Sequence, residues 1–469
     1  MMTLQHNGHP SALPPLRSIA EGRFGSRDVR EIRETVAARL ERAAADDSAG
    51  GIPFTMAEQQ ARMRAYVADE VAAWVHHRAV SGHEPLPVED EQRLVRAVAA
   101  ALSGLGALEE LLRRDDVENI HVHGCDTVLL ELANGTLERW PHAIADTDQE
   151  LIDMIAAMFA RHGQTSREFN AGRPLGNLRI AAGGPLGARV AAVMEISDRP
   201  RLAIRRHRLV NVGLDDLVAN DTLDPLLAAF LRSAVRAGCN IIVCGGPAAG
   251  KTTLLRALCG EIPASEHVVT VEEEYELGLH IGPRLLVTPL EARPANSEGI
   301  GEISMDDLLK QTLRHSPSRV IVGEVRGGEV TAMLRALGNG AAGGMCTVHA
   351  TTASAVFDRI GALGQLATPP LPIEAAHQWA ASAIDLVVHI ARSDHQLDGR
   401  RRRSRFVSEV LEVGPVGDSG RPDTTRLFAP RQGDGRAVPA YPPSNDLFQR
   451  LQPHGFPQWP TGLSDRSLR

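Results

Sequence analysis

The sequence predicts an α/β protein: a mostly parallel sheet covered by helices on both faces, preceded by a smaller N-terminal α+β unit, with disordered termini. Three observations carry this. From Leu223 onward short apolar runs alternate with helical ones, the pattern of strands buried on both faces. Between Val117 and Arg206 strand-like runs surround a single amphipathic helix. Both chain ends are rich in Pro, Gly and Arg and lack periodic apolar spacing, which leaves little to bury. A length of 469 residues suits two or three domains of roughly 100–200 residues.

Taken in order, residues 1–56 read as a disordered N-terminal segment with one helix over Asp28–Ala45. Residues 57–114 form a helical lead-in, with helical periodicity over Ala57–Val80 and Val88–Arg114 and a turn at Gly82–Pro87. Residues 115–206 form the α+β domain. Its strands are expected at Asn119–His123, Val128–Leu132, Leu178–Ala181, Arg189–Met194 and Leu202–Arg205, with a helix over Asp148–His162. Residues 207–213 are a connector.

Residues 214–413 form the larger domain. Helices are expected over Leu223–Ala237 and Lys251–Cys259. Strands are expected at Asn240–Cys244, His267–Val271, Leu285–Thr288, Val320–Val322, Met345–Val348 and Leu386–Ile390. The basic run Arg400–Arg405 reads as a solvated turn, and residues 414–469 as a disordered tail.

Composition excludes several classes. The formal net charge of −8 argues against a protein that coats nucleic acid, and sparse aromatics argue against single-strand tracking. The five cysteines are scattered without a C-x-x-C pair, which fits buried thiols in a reducing compartment better than zinc or disulfides. Met1–Pro15 has no apolar core of a signal peptide, and no run of about 18 apolar residues is present. Membrane association would therefore run through a partner or a surface.

The strongest motif is Gly245-Gly246-Pro247-Ala248-Ala249-Gly250-Lys251-Thr252, followed by Thr253. It satisfies G-x-x-x-x-G-K-[ST] between an expected strand and an expected helix. Glycines let successive amides turn toward phosphate oxygens at a helix N-terminus. Lys251 would neutralise the β- and γ-phosphates, and the Thr252 hydroxyl would ligate Mg²⁺.

Hydrolysis also needs a group that activates water and charges placed around the metal. The apolar run Arg319–Val322 delivers Glu324 at its carboxyl end, with Arg326 two residues on. Glu272 and Glu273 follow another strand and are the preferred Mg²⁺ carboxylates of the acidic run Glu272–Glu276. His349 ends a third strand and is placed to sense the γ-phosphate. Ligands in parallel sheets bind at such carboxyl ends.

Together these four stretches resemble the Walker A, Asp box, Walker B and His box of the type II/IV secretion ATPases. Gly323-Glu324-Val325-Arg326-Gly327 is especially similar, with Glu324 matching the catalytic glutamate. The run Leu290–Pro294 through Gly299–Ser304, and Phe169–Leu175, resemble the tight-adherence (Flp-type, CpaF-type) pilus assembly branch. The resemblance covers roughly residues 105–395.

The resemblance implies a RecA-like P-loop NTPase motor domain and ATP with Mg²⁺ as cofactors. It also implies a homo-hexamer in the cytoplasm, peripheral at the inner face of the cell membrane and docked on an integral platform protein. Arg173, Arg189, Arg205 and Arg206 resemble the arginines that reach the nucleotide from the N-terminal domain. Some positions depart from the pattern. Glu273 stands where Asp is usual, Gly340-Ala341 where Gly-His is frequent, and Ser318 where Asp is common. Two other readings stand beside this one: a weakly active structural ring, motivated by Glu273 and Ala341, and a nucleic-acid translocase or conjugation ATPase, since the same core drives helicases. Nucleic acid is not the expected partner.

Overall fold

The computed structural model describes residues 24–50, 56–103, 105, 107–162, 169–206, 212–282, 284, 286–296, 298–338, 342–397, 400–456 and 458–460. The chain divides into two compact units, one reaching residue 206 and one from residue 207 on, with residues 134–136 grouped with the second. Most of the connector, residues 207–211, lies outside the described residues, as do residues 1–23, 51–55 and Ala341.

The first unit opens with α1 (Ser26–Gly50), α2 (Met56–Val80) and α3 (Val88–Ser103). Each gives one pair of fully buried aliphatics four residues apart: Ile32 and Val36, Val67 and Val71, Leu94 and Val98. Residues at that spacing share a helix face, so three narrow stripes meet in one small core. α1 contains the helix expected over Asp28–Ala45 and extends past it at both ends, so the described part of residues 1–56 is helical rather than disordered.

After α4 (Leu108–Arg113) come β1 (Val117–His123), β2 (Thr127–Leu132), β3 (Leu137–Trp140), α5 (Asp148–His162), β4 (Leu175–Ile180), β5 (Ala188–Val193) and β6 (Arg201–Arg206). The strands form an antiparallel sheet in the order β3-β2-β1-β6-β5-β4. Leu151, Ile155, Met158 and Phe159 of α5 lie in its core. β3 was not expected from the sequence. It is an edge strand with no fully buried side chain, so the alternating apolar signal is missing.

The second unit contains α6 (Leu214–Ala219), α7 (Pro225–Arg236), β7 (Ile241–Gly245), α8 (Lys251–Cys259), β8 (Val268–Glu272), β9 (Val287–Glu291), α9 (Met305–Thr312), β10 (Arg319–Val325), α10 (Val330–Gly338), β11 (Met345–His349), α11 (Ala355–Gly364), α12 (Ile373–Ala383), β12 (Leu386–Leu397), β13 (Arg400–Val416), β14 (Pro422–Pro430), β15 (Ala437–Pro439) and α13 (Asn445–Leu451). Its sheet runs β15-β14-β13-β12-β7-β11-β10-β8-β9. The stretch from β12 to β9 is parallel. β7 and β8 are buried at every position, which explains their unbroken apolar runs. α7 and α8 cover one face, and α9 to α12 the other. Asn240 ties the amino ends of the strands together. Its side chain donates to the Ala383 and Leu337 carbonyls at 2.7 and 3.2 Å and accepts from the Gly344 amide at 2.8 Å.

Two expectations are corrected here. Arg400–Arg405 is no turn but the first part of β13, paired antiparallel with β12. The described residues from 414 on are no disordered tail: β14, β15 and α13 close the unit. Phe428, Leu447, Leu451 and Phe456 are buried in the same core as Phe230. Proline and glycine here mark turns between short elements, and composition alone reads turns as disorder. The Phe428 ring lies tilted against Phe230 at 5.5 Å and edge-on to Trp459 at 5.3 Å, centroid to centroid. Phe428→Ala is therefore expected to destabilise the unit by about 3–5 kcal/mol in denaturant unfolding. An unchanged midpoint would show the segment to be dispensable.

Candidate active site

At the end of β7 the chain turns through Gly245–Gly250 into α8. A Cβ on Gly245 would lie 2.3 Å from the Ile390 carbonyl oxygen of β12, so only glycine fits. Ala248 and Gly250 hold φ of 54° and 101°, the left-handed region, which costs a non-glycine residue about 1 kcal/mol. Lys251, the first residue of α8, is only 7% exposed. Its Nζ donates to the Gly245 and Gly246 carbonyls at 3.2 and 3.1 Å and so fills the hollow of the loop. Burial lowers its pKa, and the nearby Glu324 carboxylate pulls it back up.

Three neighbouring strands bring their carboxyl ends to this loop, since β11 lies between β7 and β10. The β10–β11 register slips between Val322 and Val325, leaving an extra residue on β10. Such a bulge re-aims a side chain. The Thr347 hydroxyl donates to the Gly323 carbonyl at 2.7 Å there. Glu324 then places Oε1 3.7 Å from Lys251 Nζ and 3.2 Å from His349 Nε2. Its Oε2 accepts from Arg326 Nε at 2.7 Å. Burial and the Lys251 charge lower the pKa of His349, so its imidazole is neutral at pH 7. A proton on Nε2 lets it donate to Glu324, leaving Nδ1, 3.5 Å from Lys251 Nζ, to accept. Arg326 also donates to Glu273 at 2.5 Å.

The acidic turn after β8 departs from expectation. Glu272 is 2% exposed. Its Oε2 accepts from the Glu276 and Leu277 amides, both at 2.7 Å, and its Oε1 from the Thr270 hydroxyl at 3.2 Å. Burial pushes its carboxyl up to about 7. Glu272 is thus a clamp for the turn, and its oxygens are taken. Glu273 is exposed and paired with Arg326. The acid that reaches Thr252 is Glu276, whose Oε2 accepts from the Thr252 hydroxyl at 3.3 Å. Sequence reasoning preferred the acids nearest the strand end. The turn instead curls back so that the fifth of the run faces the loop. Thr253 is half-buried on the next position of α8.

Of the N-terminal arginines, Arg206 is withdrawn from the nucleotide-reaching set. It is buried, and its guanidinium donates to the carbonyls of Gly183 at 3.1 Å, Val117 at 3.2 Å, and Arg114. Arg205 is exposed on the opposite face of β6. It sits directly across from Arg189, which in turn faces Arg179. Arg173 is exposed in the turn closed by the Asn170 side chain, which accepts from the Gly172 and Arg173 amides at 3.0 and 3.1 Å.

A parallel sheet, a phosphate loop with its lysine, and an acid and an imidazole at adjoining strand ends define a P-loop ATPase. Residues 132–412 match the family described as type II/IV secretion system protein. A relative from Mycobacterium tuberculosis, the "Putative conjugal transfer protein Rv3659c", is 36% identical over 312 residues, 66% of this chain and 85% of that protein. The type IV secretion system protein PtlH of Bordetella pertussis is 33% identical over 330 residues, 64% of this chain and 92% of PtlH. Among solved structures, the VirB11 ATPase from the Brucella suis type IV secretion system, in complex with sulphate, is 25% identical, covering 65% of this chain and 95% of its own, with a TM-score of 0.34. The chain belongs to the type II/IV secretion system protein family, as an ATPase that binds ATP and acts with membrane machinery. Among the described residues no helix is long and apolar enough to cross a membrane.

Proposed function

We propose that this ATPase hydrolyses ATP with Mg²⁺ as a homo-hexameric ring at the inner face of the cell membrane. It docks there on an integral platform protein and powers pilus assembly of the tight-adherence type. The observation that carries the enzymatic part is the crowding of Lys251, Glu324 and His349 within 3.7 Å of one another at the mouth of the loop. The loop amides and Lys251 hold the triphosphate. Glu324 takes a proton from the attacking water, and His349 reports the terminal phosphate. Arg326 moves off Glu324 to free its carboxylate.

The Thr252 hydroxyl and Glu276 carboxylate are hard oxygen donors 3.3 Å apart and fit Mg²⁺. When bound there, the ion would supply positive charge that offsets the negative charge of the phosphoryl groups. Glu276→Gln is expected to raise the Mg²⁺ concentration for half-maximal hydrolysis about tenfold, a loss of one charged ligand. A Mg²⁺ titration equal to that of the wild type would return the metal role to another acid.

The test of the whole reading is Mg²⁺-dependent ATP turnover by the purified full chain, with its mass in solution. Absence of turnover, together with a stable ring, would favour the structural-ring reading. Conjugative transfer is a second reading, favoured by the conjugal transfer name of the mycobacterial relative. Turnover stimulated by single-stranded DNA and lost steeply with salt would select it.

A further inference from the structure

The outer wall of the phosphate loop comes from a segment that carries no nucleotide motif. β12 pairs with β7 only as far as His389 opposite Cys244. Beyond that point β12 and β13 continue as a hairpin, paired to Leu397 opposite Arg400. There the hairpin touches the loop at three places. The Ile390 carbonyl fills the space where Gly245 would carry a Cβ. Ile390 Cδ1 and Arg405 Cδ each lie 3.4 Å from the Cβ position of Gly250. Arg405 Nε donates to the Ala248 carbonyl at 3.0 Å.

Ala248 is the loop residue that holds a left-handed φ of 54° without being glycine, so something must hold it there. Lys251 grips the Gly245 and Gly246 carbonyls from inside the turn, and Arg405 grips the Ala248 carbonyl from outside. A charged donor makes a strong bond of this kind. Arg405 keeps its place although it stands directly across the hairpin from Arg392, a like-charge neighbour that works against the pairing.

We propose that Arg405 is a positioning residue for nucleotide binding: its guanidinium fixes the left-handed turn at Ala248 and keeps the loop backbone in the form that receives the triphosphate. This rests on the reading of the loop as the ATP site. The hairpin thereby makes nucleotide affinity depend on residues about 150 positions downstream of the loop.

The test titrates a fluorescent ATP analogue into the full chain and measures steady-state hydrolysis for wild type, R405Q, R405K, A248G and R405Q/A248G. Loss of one charged bond should raise Kd and KM for R405Q about tenfold, with kcat within about twofold. R405K keeps a cation that can reach the carbonyl and should stay within about threefold of wild type. Adding A248G to R405Q should recover most of the affinity, because glycine takes the left-handed φ without strain. Arg405 is half-buried on the hairpin, so the variants fold, and melting curves check this. Wild-type affinity in R405Q overturns the inference, whether or not its Tm falls. So does a double variant as weak as R405Q. A wild-type protein that takes up no nucleotide overturns the ATP-site reading itself.

Discussion

Glu324→Gln is expected to lower kcat for ATP hydrolysis by about 10²- to 10⁴-fold while ATP remains bound, the usual range for loss of a general base. The amide keeps the shape and the contact with His349 Nε2, 3.2 Å from the carboxylate in the native protein, but cannot accept a proton from water. The variant also loses the charge that Arg326 pairs with. Since that pair has to open before the site can work, ATP affinity should hold or tighten slightly. A coupled phosphate-release assay gives kcat, and filter binding of ATP gives affinity. Wild-type turnover in the glutamine variant would remove Glu324 from the chemistry and leave Glu273 and Glu276 as the other candidate acids.

Lys251→Ala should act on the other constant. The ammonium is buried in the loop hollow, where charged hydrogen bonds to phosphate contribute about 1.5–3 kcal/mol each. Loss of two such bonds corresponds to at least about a hundredfold in ATP affinity. The truncation also strips Glu324 and His349 of their cationic neighbour. The pKa of His349 should therefore rise, since the Lys251 charge is one cause of its lowering. Nucleotide titration reads the affinity, and the imidazole shift is visible by proton NMR. An affinity within about threefold of wild type would mean that the loop amides suffice to hold the phosphates.

The parts of the site that sequence made legible are those set by the backbone over a few residues. Gly245–Thr252 folds into its loop wherever a strand precedes it and a helix follows. Glu324 and His349 sit at strand ends because apolar runs stop there. The rest depends on turns and on pairing partners far along the chain. Which acid of Glu272–Glu276 faces Thr252 depends on how the turn curls, and here the first of them, Glu272, is spent on the amides of Glu276 and Leu277. Arg205 and Arg206 are neighbours in sequence, yet alternation along β6 sends one outward and the other into a cage of carbonyls. Arg400–Arg405 reads as a solvated charge run until β12 is available to pair with it. The elements after residue 414 are short, and among the described residues the rings of Phe428, Phe456 and Trp459 meet Phe230 of α7 and one another.

Gly323 and Glu272 share one small volume: a methyl on Gly323 would sit 3.1 Å from Glu272 Cγ. That contact is tighter than two carbon atoms ordinarily make, so a larger residue at either position requires the other to give way by a few tenths of an ångström. Sister proteins bearing alanine or aspartate at the first site should carry a shorter acid at the second. A library randomising both codons should return them as linked choices.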